Sequence, residues 1–192
     1  MPVGNAETER YIQALALWQR GWGERLGFGS IESYLETIPK IPSILLRPDK
    51  RFRFLVLVDG RLDVGLACGL SYVNARPEDL ALIMSFDATR TKSGVRWMRC
   101  QTGRRYRAWT VEESRTKFDQ DEFGLDLSEA LALYAQYPRV LRGHNILLPN
   151  TVSIRPSNSP GCVGRHEGGF HFGFNVGDTN RPAFGSASRL DH

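Results

Sequence analysis

Apolar residues recur at helical spacing in the first part of the chain. Between residues 7 and 20 they return every three or four positions, which predicts a helix with Asn5 as its N-cap. A second, shorter helix is predicted over Ile31–Thr37, where prolines follow and prevent it from continuing. We therefore expect residues 1–46 to form a helical arm.

Two capping boxes predict further helices in the centre of the chain. In each box a Thr or Asp precedes the helix and a Glu follows three residues later, so that side chains and backbone N–H groups satisfy one another. The boxes are Thr110 with Glu113 and Asp126 with Glu129. They predict helices over Val111–Phe118 and Leu127–Tyr137, the second ended by Pro138.

Runs of β-branched and aromatic residues predict strands between and after these helices. Phe52–Val58 is such a run, and the Asp59-Gly60 turn signal with alternating Leu62, Val64 and Leu66 predicts a hairpin. Leu80–Phe86 is predicted as a third strand, with a helix opened by Glu78 and Asp79 as the alternative. Three more strands are predicted over Val95–Cys100, Ile146–Leu148 and Phe170–Val176. A connecting loop is expected over Pro149–Gly161.

The order of these elements predicts the fold class. Helices, then strands, then helices, then strands favour an α+β fold with a mostly antiparallel sheet, an N-terminal helical arm and two central helices. A chain of 192 residues is the size of one domain. We expect a single domain over residues 1–192, with the α+β body over residues 47–192.

Composition excludes several classes of protein. Hydrophobic residues make up 41% of the chain and charged residues 24%, which excludes disordered, collagen-like and coiled-coil classes. The aliphatic run Leu55–Val58 is far too short to span a membrane, so no membrane association is expected. Three widely spaced cysteines and the absence of a secretory signal in the first ten residues indicate a cytoplasmic protein.

Basic residues with interleaved aromatic residues form the first candidate site. No acidic residue occurs between positions 88 and 111, although 21 of the 25 basic residues in the chain are arginine and many fall here. Basic groups follow a phosphate backbone while aromatic rings stack on unpaired bases. The predicted anion-binding residues are Arg96, Arg99, Arg104, Arg105 and Arg107, with Trp97 and Trp109.

This segment predicts a non-catalytic binding protein for an anionic ligand. The ligand would be a nucleic acid, a nucleotide or an acidic protein surface. Within a strand over Val95–Cys100, Arg96 and Arg99 would face opposite sides. The structural alternative is that the arginines form ion pairs with the acidic stretch Glu112–Asp126.

Cysteine and histidine residues near the C-terminus form a second candidate site. Cys162, His166 and His171 are residue types that bind zinc, although their spacing matches no known zinc finger. The same residues permit an enzyme with a Cys162 nucleophile and His166 or His144 as its base. The alternatives are a buried cysteine and polar histidines without a chemical role.

Glycine and aromatic residues form a distinct pattern at the end of the chain. Gly169-Phe170-His171-Phe172-Gly173-Phe174-Asn175-Val176-Gly177 precedes Phe184-Gly185-Ser186-Ala187-Ser188. The pattern resembles the closing motif of an uncharacterised bacterial family of unknown function that is common in actinobacteria. Phe172 and Phe174 stand where that family usually has tryptophan. The resemblance implies one compact bacterial domain and supplies no catalytic residues.

The aromatic segment also suggests a third function. Phe170–Val176 alternates aromatic with small or polar residues, as a strand with one apolar face does. A partner, or a second copy in a homo-oligomer, could complete such a strand. The third hypothesis is therefore a protein-interaction module.

Overall fold

A computed structural model of the chain describes residues 6–90, 94–140, 143–154, 159–166, 169–174 and 183–190. The helices are α1 (Ala6–Trp18), α2 (Trp22–Arg25), α3 (Ile31–Glu36), α4 (Ser43–Leu46), α5 (Val64–Leu70), α6 (Pro77–Leu80), α7 (Val111–Thr116) and α8 (Leu127–Gln136). The strands are β1 (Phe54–Asp59), β2 (Val73–Ala75), β3 (Ile83–Ser85), β4 (Val95–Gln101), β5 (Glu122–Gly124), β6 (Asn145–Ser153), β7 (Pro160–His166), β8 (Gly169–Phe174), β9 (Phe184–Ser186) and β10 (Ser188–Leu190).

The strands form two sheets. Sheet A has the order β1-β4-β10-β5 and is antiparallel throughout. Sheet B has the order β2-β8-β7-β6-β3, with parallel pairing of β2 with β8 and of β9 with β6. The predicted α+β class is confirmed, with mostly antiparallel pairing, helices at the N-terminus and α7 and α8 in the centre.

Helix α8 lies at the centre of the hydrophobic core. Leu131, Ala132 and Leu133 have no exposed surface, and Tyr134 packs on Phe170 of β8 with ring centroids 4.8 Å apart. The capping box predicted for this helix is confirmed by hydrogen bonds in both directions between Asp126 and Glu129. Burial on every side explains why the helix is apolar almost all round.

Two glutamine side chains cover the outer edge of β1. The Gln13 side chain donates to the Leu55 carbonyl at 2.6 Å and accepts from the Leu57 N–H at 2.8 Å. Gln136 makes the same pair of bonds with the backbone of Leu57, at 2.7 and 3.1 Å. These contacts replace a missing neighbouring strand and bind α1 and α8 to sheet A.

The hairpin predicted after β1 is wrong. Leu62 precedes α5, which contains Val64 and Leu66, and β1 pairs with β4 instead. Asp63 caps α5 by accepting the N–H groups of Gly65 and Leu66. The predicted turn at Gly60 is present, with the Asp59 carboxylate accepting the Arg61 N–H, and the same carboxylate accepts the Tyr34 hydroxyl at 2.9 Å, which anchors the helical arm.

Other boundaries differ from the predicted ones. The predicted strand Leu80–Phe86 is shortened to β3, and α6 precedes it with Pro77 at its first position, close to the alternative helix. The predicted loop over Pro149–Gly161 is wrong in extent, because β6 continues through Pro149 to Ser153. Asn5, residues 155–158 and the last two residues of the predicted strand Phe170–Val176 lie outside the described residues.

Among the helices of the described ranges, none has the length and apolar character needed to cross a lipid bilayer.

Candidate anion-binding site

The arginines of β4 point into the protein rather than toward a ligand. Arg96 donates to the Glu129 carboxylate at 2.8 Å, and Arg99 donates to the carbonyls of Leu45 and Phe52 at 2.6 and 3.2 Å. The two side chains leave opposite faces of the strand, as its alternation requires. Because Glu129 of α8 binds one guanidinium and the Leu45 carbonyl of α4 binds the other, neither is placed to meet an external anion.

Trp97 is also part of the interior. Its side chain is 7% exposed, and its indole Nε1–H donates to the Pro39 carbonyl at 2.8 Å. The indole therefore fixes the segment between α3 and α4 against sheet A. Of the seven predicted anion-binding residues, three (Arg96, Trp97 and Arg99) therefore bind groups within the protein instead of facing a ligand.

The other four predicted residues lie in an exposed turn. This basic turn, Gly103–Trp109, leaves β4 through Gly103 at a φ of +88° and contains one short 3-10 turn, Arg104–Tyr106. Gly103 is required there, since its Cβ would lie 2.2 Å from the Gly185 carbonyl oxygen. The basic turn therefore lies directly against β9.

Arg105 is compensated by acidic neighbours. Its guanidinium lies 3.1 Å from the Asp119 carboxylate and 3.2 Å from that of Glu122, and stacks on the Tyr106 ring. Glu122 is buried and also accepts the Tyr106 hydroxyl at 2.7 Å. For Arg105 the predicted alternative, ion pairing with the acidic stretch, describes the contacts that are present.

Arg104 and Arg107 are exposed, and the charge of each acts on the His144 ring. The Arg104 guanidinium reaches to 3.7 Å from the position that a Cβ would take on Gly143. Within the described ranges no carboxylate forms an ion pair with Arg104. The exposed charge of Arg104 is therefore not paired with any described carboxylate.

His144 is a buried imidazole beneath these arginines. Its Nε2–H donates to the Thr102 carbonyl, while its buried Nδ1 has no hydrogen-bond partner among the described residues. Burial lowers the pKa of His144; the Thr102 bond opposes this, and the charges of Arg107 and Arg104 lower the pKa further. The ring is therefore neutral at pH 7 and adds no charge of its own.

One aromatic ring of the basic turn is available to solvent. The Trp109 side chain is 38% exposed, packs near the Tyr106 ring and has the Lys117 ammonium 6.0 Å from its centroid. An exposed indole beside cations is the arrangement on which a nucleobase stacks. Lys117 was not among the predicted residues, because it lies at the end of α7, outside the basic segment of the sequence.

The Cys/His cluster is only partly described. In the antiparallel register, Cys162 lies opposite Gly173 and His171 lies opposite Gly164, so the two side chains share one face of sheet B. The side chain of His166 lies outside the described residues. Among the described side chains, no group of three or more His, Cys, Asp or Glu residues is placed to hold a metal ion.

The Cys162 thiol is not an activated nucleophile. Burial raises its pKa to about 12, so the thiol is protonated at neutral pH. His144, the second base considered for it, uses Nε2 to bind the Thr102 carbonyl. The described contacts therefore give no support to a Cys–His catalytic pair.

The aromatic strand has neighbours in the chain on both sides. Strand β8 pairs with β7 over Gly169–Phe174 and with β2 over Phe170–Phe172, and Phe172 is 4% exposed. A partner strand therefore has no open edge along Phe170–Phe172, and the interaction module stays a prediction.

In comparisons of the chain with protein-family models, with curated proteins and with solved structures, nothing matches. The resemblance of the closing segment to an actinobacterial family therefore stays a prediction.

Proposed function

We propose that the protein binds an anionic ligand, a single-stranded nucleic acid or a nucleotide, through the basic turn. The observation that supports this is the convergence of exposed Arg104 and Arg107 at His144, with exposed Trp109 in the same segment. Guanidinium groups bind phosphate through paired N–H donors, and an indole stacks on a base without regard to its sequence.

The buried imidazole favours binding over catalysis at this place. His144 is buried and its Nε2 binds the Thr102 carbonyl, so the ring is not placed to act on an external substrate. An acidic protein surface is the alternative ligand, since it would satisfy the arginines equally. It would leave the Trp109 ring without a stacking partner, and this difference separates the two ligands experimentally.

Two exposed cations set the expected strength of binding. Arg104 and Lys117 could neutralise about two phosphates, and each contributes roughly −0.7 to the slope of log K against log salt for a single strand. A slope of about −1.4 is therefore expected, and binding should weaken several-fold between about 50 and 200 mM salt.

Fluorescence anisotropy of a labelled oligothymidylate tests the proposal. Arg104→Ala should weaken binding and reduce the salt slope by about 0.7, because one phosphate contact is lost. Arg25→Ala is the matched control, since Arg25 is an exposed arginine on α2 in the helical arm. Equal affinities for Arg104→Ala, Arg25→Ala and the parent protein would refute the assignment.

Trp109→Phe separates the nucleic acid from the acidic protein. With an oligonucleotide, the parent should show quenching of tryptophan emission that this variant loses, because a base stacks on the indole. Binding of polyglutamate with the same dependence on Arg104, and no oligonucleotide binding, would instead support the acidic protein surface.

A further inference from the structure

A second basic group lies in a small cleft whose lining residues are outside the basic turn. The cleft has a volume of about 130 Å³ and lies between the end of β3, α7 and the facing parts of β5 and β6. Its walls are mainly apolar, and its polar groups include one cation. The residues that matter for its chemistry are Phe86, Asp87, Arg115, Phe118, Phe123 and Pro149.

Arg115 is the cation of this cleft. Its guanidinium carbon lies 3.6 Å from the centroid of the Phe86 ring, which is stacking distance, and one terminal nitrogen donates to the Pro149 carbonyl. That is one bond for a group with five N–H donors. One flat face of the guanidinium is thus covered by Phe86, and the Arg115 side chain lines the cleft with donors that no described group accepts.

This charge is not directly compensated by a carboxylate in the described part of the chain. Within the described ranges Arg115 forms no ion pair, although the side chain is partly buried. Burial lowers the pKa of Arg115 to about 10, opposed by the charge of Glu112, so the group is still cationic at neutral pH. A partly buried cation without a paired anion is uncommon, because its desolvation is not offset by a partner.

We propose that this cleft binds a small organic monocarboxylate with a flat apolar body, and that Arg115 holds the carboxylate. A guanidinium fork matches the two oxygens of a carboxylate, and the rings of Phe118 and Phe123 bury an apolar group. The cleft is smaller than the roughly 300–1,000 Å³ of sites for larger ligands, so it accommodates one ring or a short chain.

The charge of the cleft selects a monoanion over a phosphate. Asp87 also lines the cleft, where its carboxylate accepts the N–H and hydroxyl of Thr89. Arg115 is the one cation among the described lining residues, so it matches the single charge of a monocarboxylate and would leave the second charge of a dianion unpaired. This site is therefore chemically different from the basic turn, and its existence does not depend on the function proposed for that turn.

Isothermal titration with 3-phenylpropionate tests the proposal, with 3-phenylpropanamide and inorganic phosphate as comparison probes. We expect the acid to bind and the amide to bind at least about tenfold more weakly, because the charge-assisted bonds to Arg115 are lost. Arg115→Gln should weaken binding of the acid by a similar factor. Equal binding of acid and amide, tighter binding of phosphate, or no binding of the acid would overturn the proposal.

A second pair of variants protects the test against misfolding. Arg115→Gln also removes the bond to the Pro149 carbonyl, so its fold is checked by circular dichroism. Phe86 is 58% exposed, so Phe86→Ala should be tolerated by the fold. The variant removes the ring that stacks on Arg115 and should also weaken binding of the acid. Arg104→Ala should leave binding of the acid unchanged. If Phe86→Ala binds as the parent does, or Arg104→Ala abolishes binding, the cleft is not the site.

Discussion

Asp126 is the N-cap of α8, and its burial makes a sharp prediction about pH. The carboxyl accepts the Glu129 N–H at 2.9 Å and is 9% exposed. Burial raises the pKa of Asp126 to about 7, and repulsion by Glu129 adds to this, while the cap hydrogen bond and the charges of Arg96 and Arg189 oppose it. In the folded protein the group is thus protonated at pH 5 and largely ionised at pH 8.

The sign of the effect follows from the two protonation states. The unfolded chain has an Asp pKa near 3.9, so the folded state binds the extra proton and the free energy of unfolding falls as pH rises through about 7. With these two pKa values, the contribution lost between pH 5 and pH 8 is about 2 to 3 kcal/mol.

Asp126→Asn isolates this contribution. Asparagine keeps the cap acceptor and cannot ionise, so the variant should lack this part of the pH dependence. We expect the difference in free energy of unfolding between variant and parent, measured by urea denaturation, to shift by about 2 to 3 kcal/mol in favour of the variant from pH 5 to pH 8.

Asp63→Asn is the matched control for this measurement. Asp63 caps α5 through the N–H groups of Gly65 and Leu66 but is exposed to solvent. Both residues are helix caps, so the comparison separates the effect of losing any cap carboxylate from the effect of losing a buried one. A difference for Asp126→Asn that stays constant within about 0.5 kcal/mol between the two pH values would refute the reasoning.

Two further predictions concern stability and use urea denaturation in the same way. Glu129→Ala should cost about 3–5 kcal/mol, because it removes a buried carboxylate that pairs with the guanidinium groups of both Arg96 and Arg189. Arg51→Ala, at the exposed pair with Asp119, should cost less than about 1 kcal/mol, and similar costs for the two variants would contradict the inferred role of burial. Gly103→Ala should cost at least about 2 kcal/mol, because the added Cβ meets backbone and the φ is positive. Gly94→Ala, with a φ of +81° and open space, should cost about 1 kcal/mol, and equal losses would show that the contact with β9 is unimportant.

Local signals predicted the elements whose stabilising contacts are themselves local. Both capping boxes appear as predicted, since each consists of hydrogen bonds across three residues. Strand β4 was predicted within one residue of its observed end, and its alternation correctly separates Arg96 from Arg99. These features depend on backbone geometry and on neighbours in the chain.

Distant contacts decide the elements that sequence reasoning missed. The turn expected at Asp59 is present, but a cap at Asp63 begins a helix where a second strand was expected, and Tyr34, 25 positions away, binds the Asp59 carboxylate. Likewise, β6 continues past Pro149, since it pairs with β3 as well as β7. No spacing within the segment itself indicates these partners.

Distant contacts also decide which arginines of the candidate site can bind a ligand, so the arginine content alone does not predict anion binding. Glu129, which binds Arg96, is 33 positions away in the sequence and also contacts Arg189 at 2.6 Å. An arginine paired with a buried carboxylate stabilises the fold and has no charge left for a ligand. In contrast, Arg104 and Arg115 form no ion pair with any described residue. Binding of anions should therefore depend on these two positions separately rather than on the total number of basic residues, and single substitutions at each should affect different ligands.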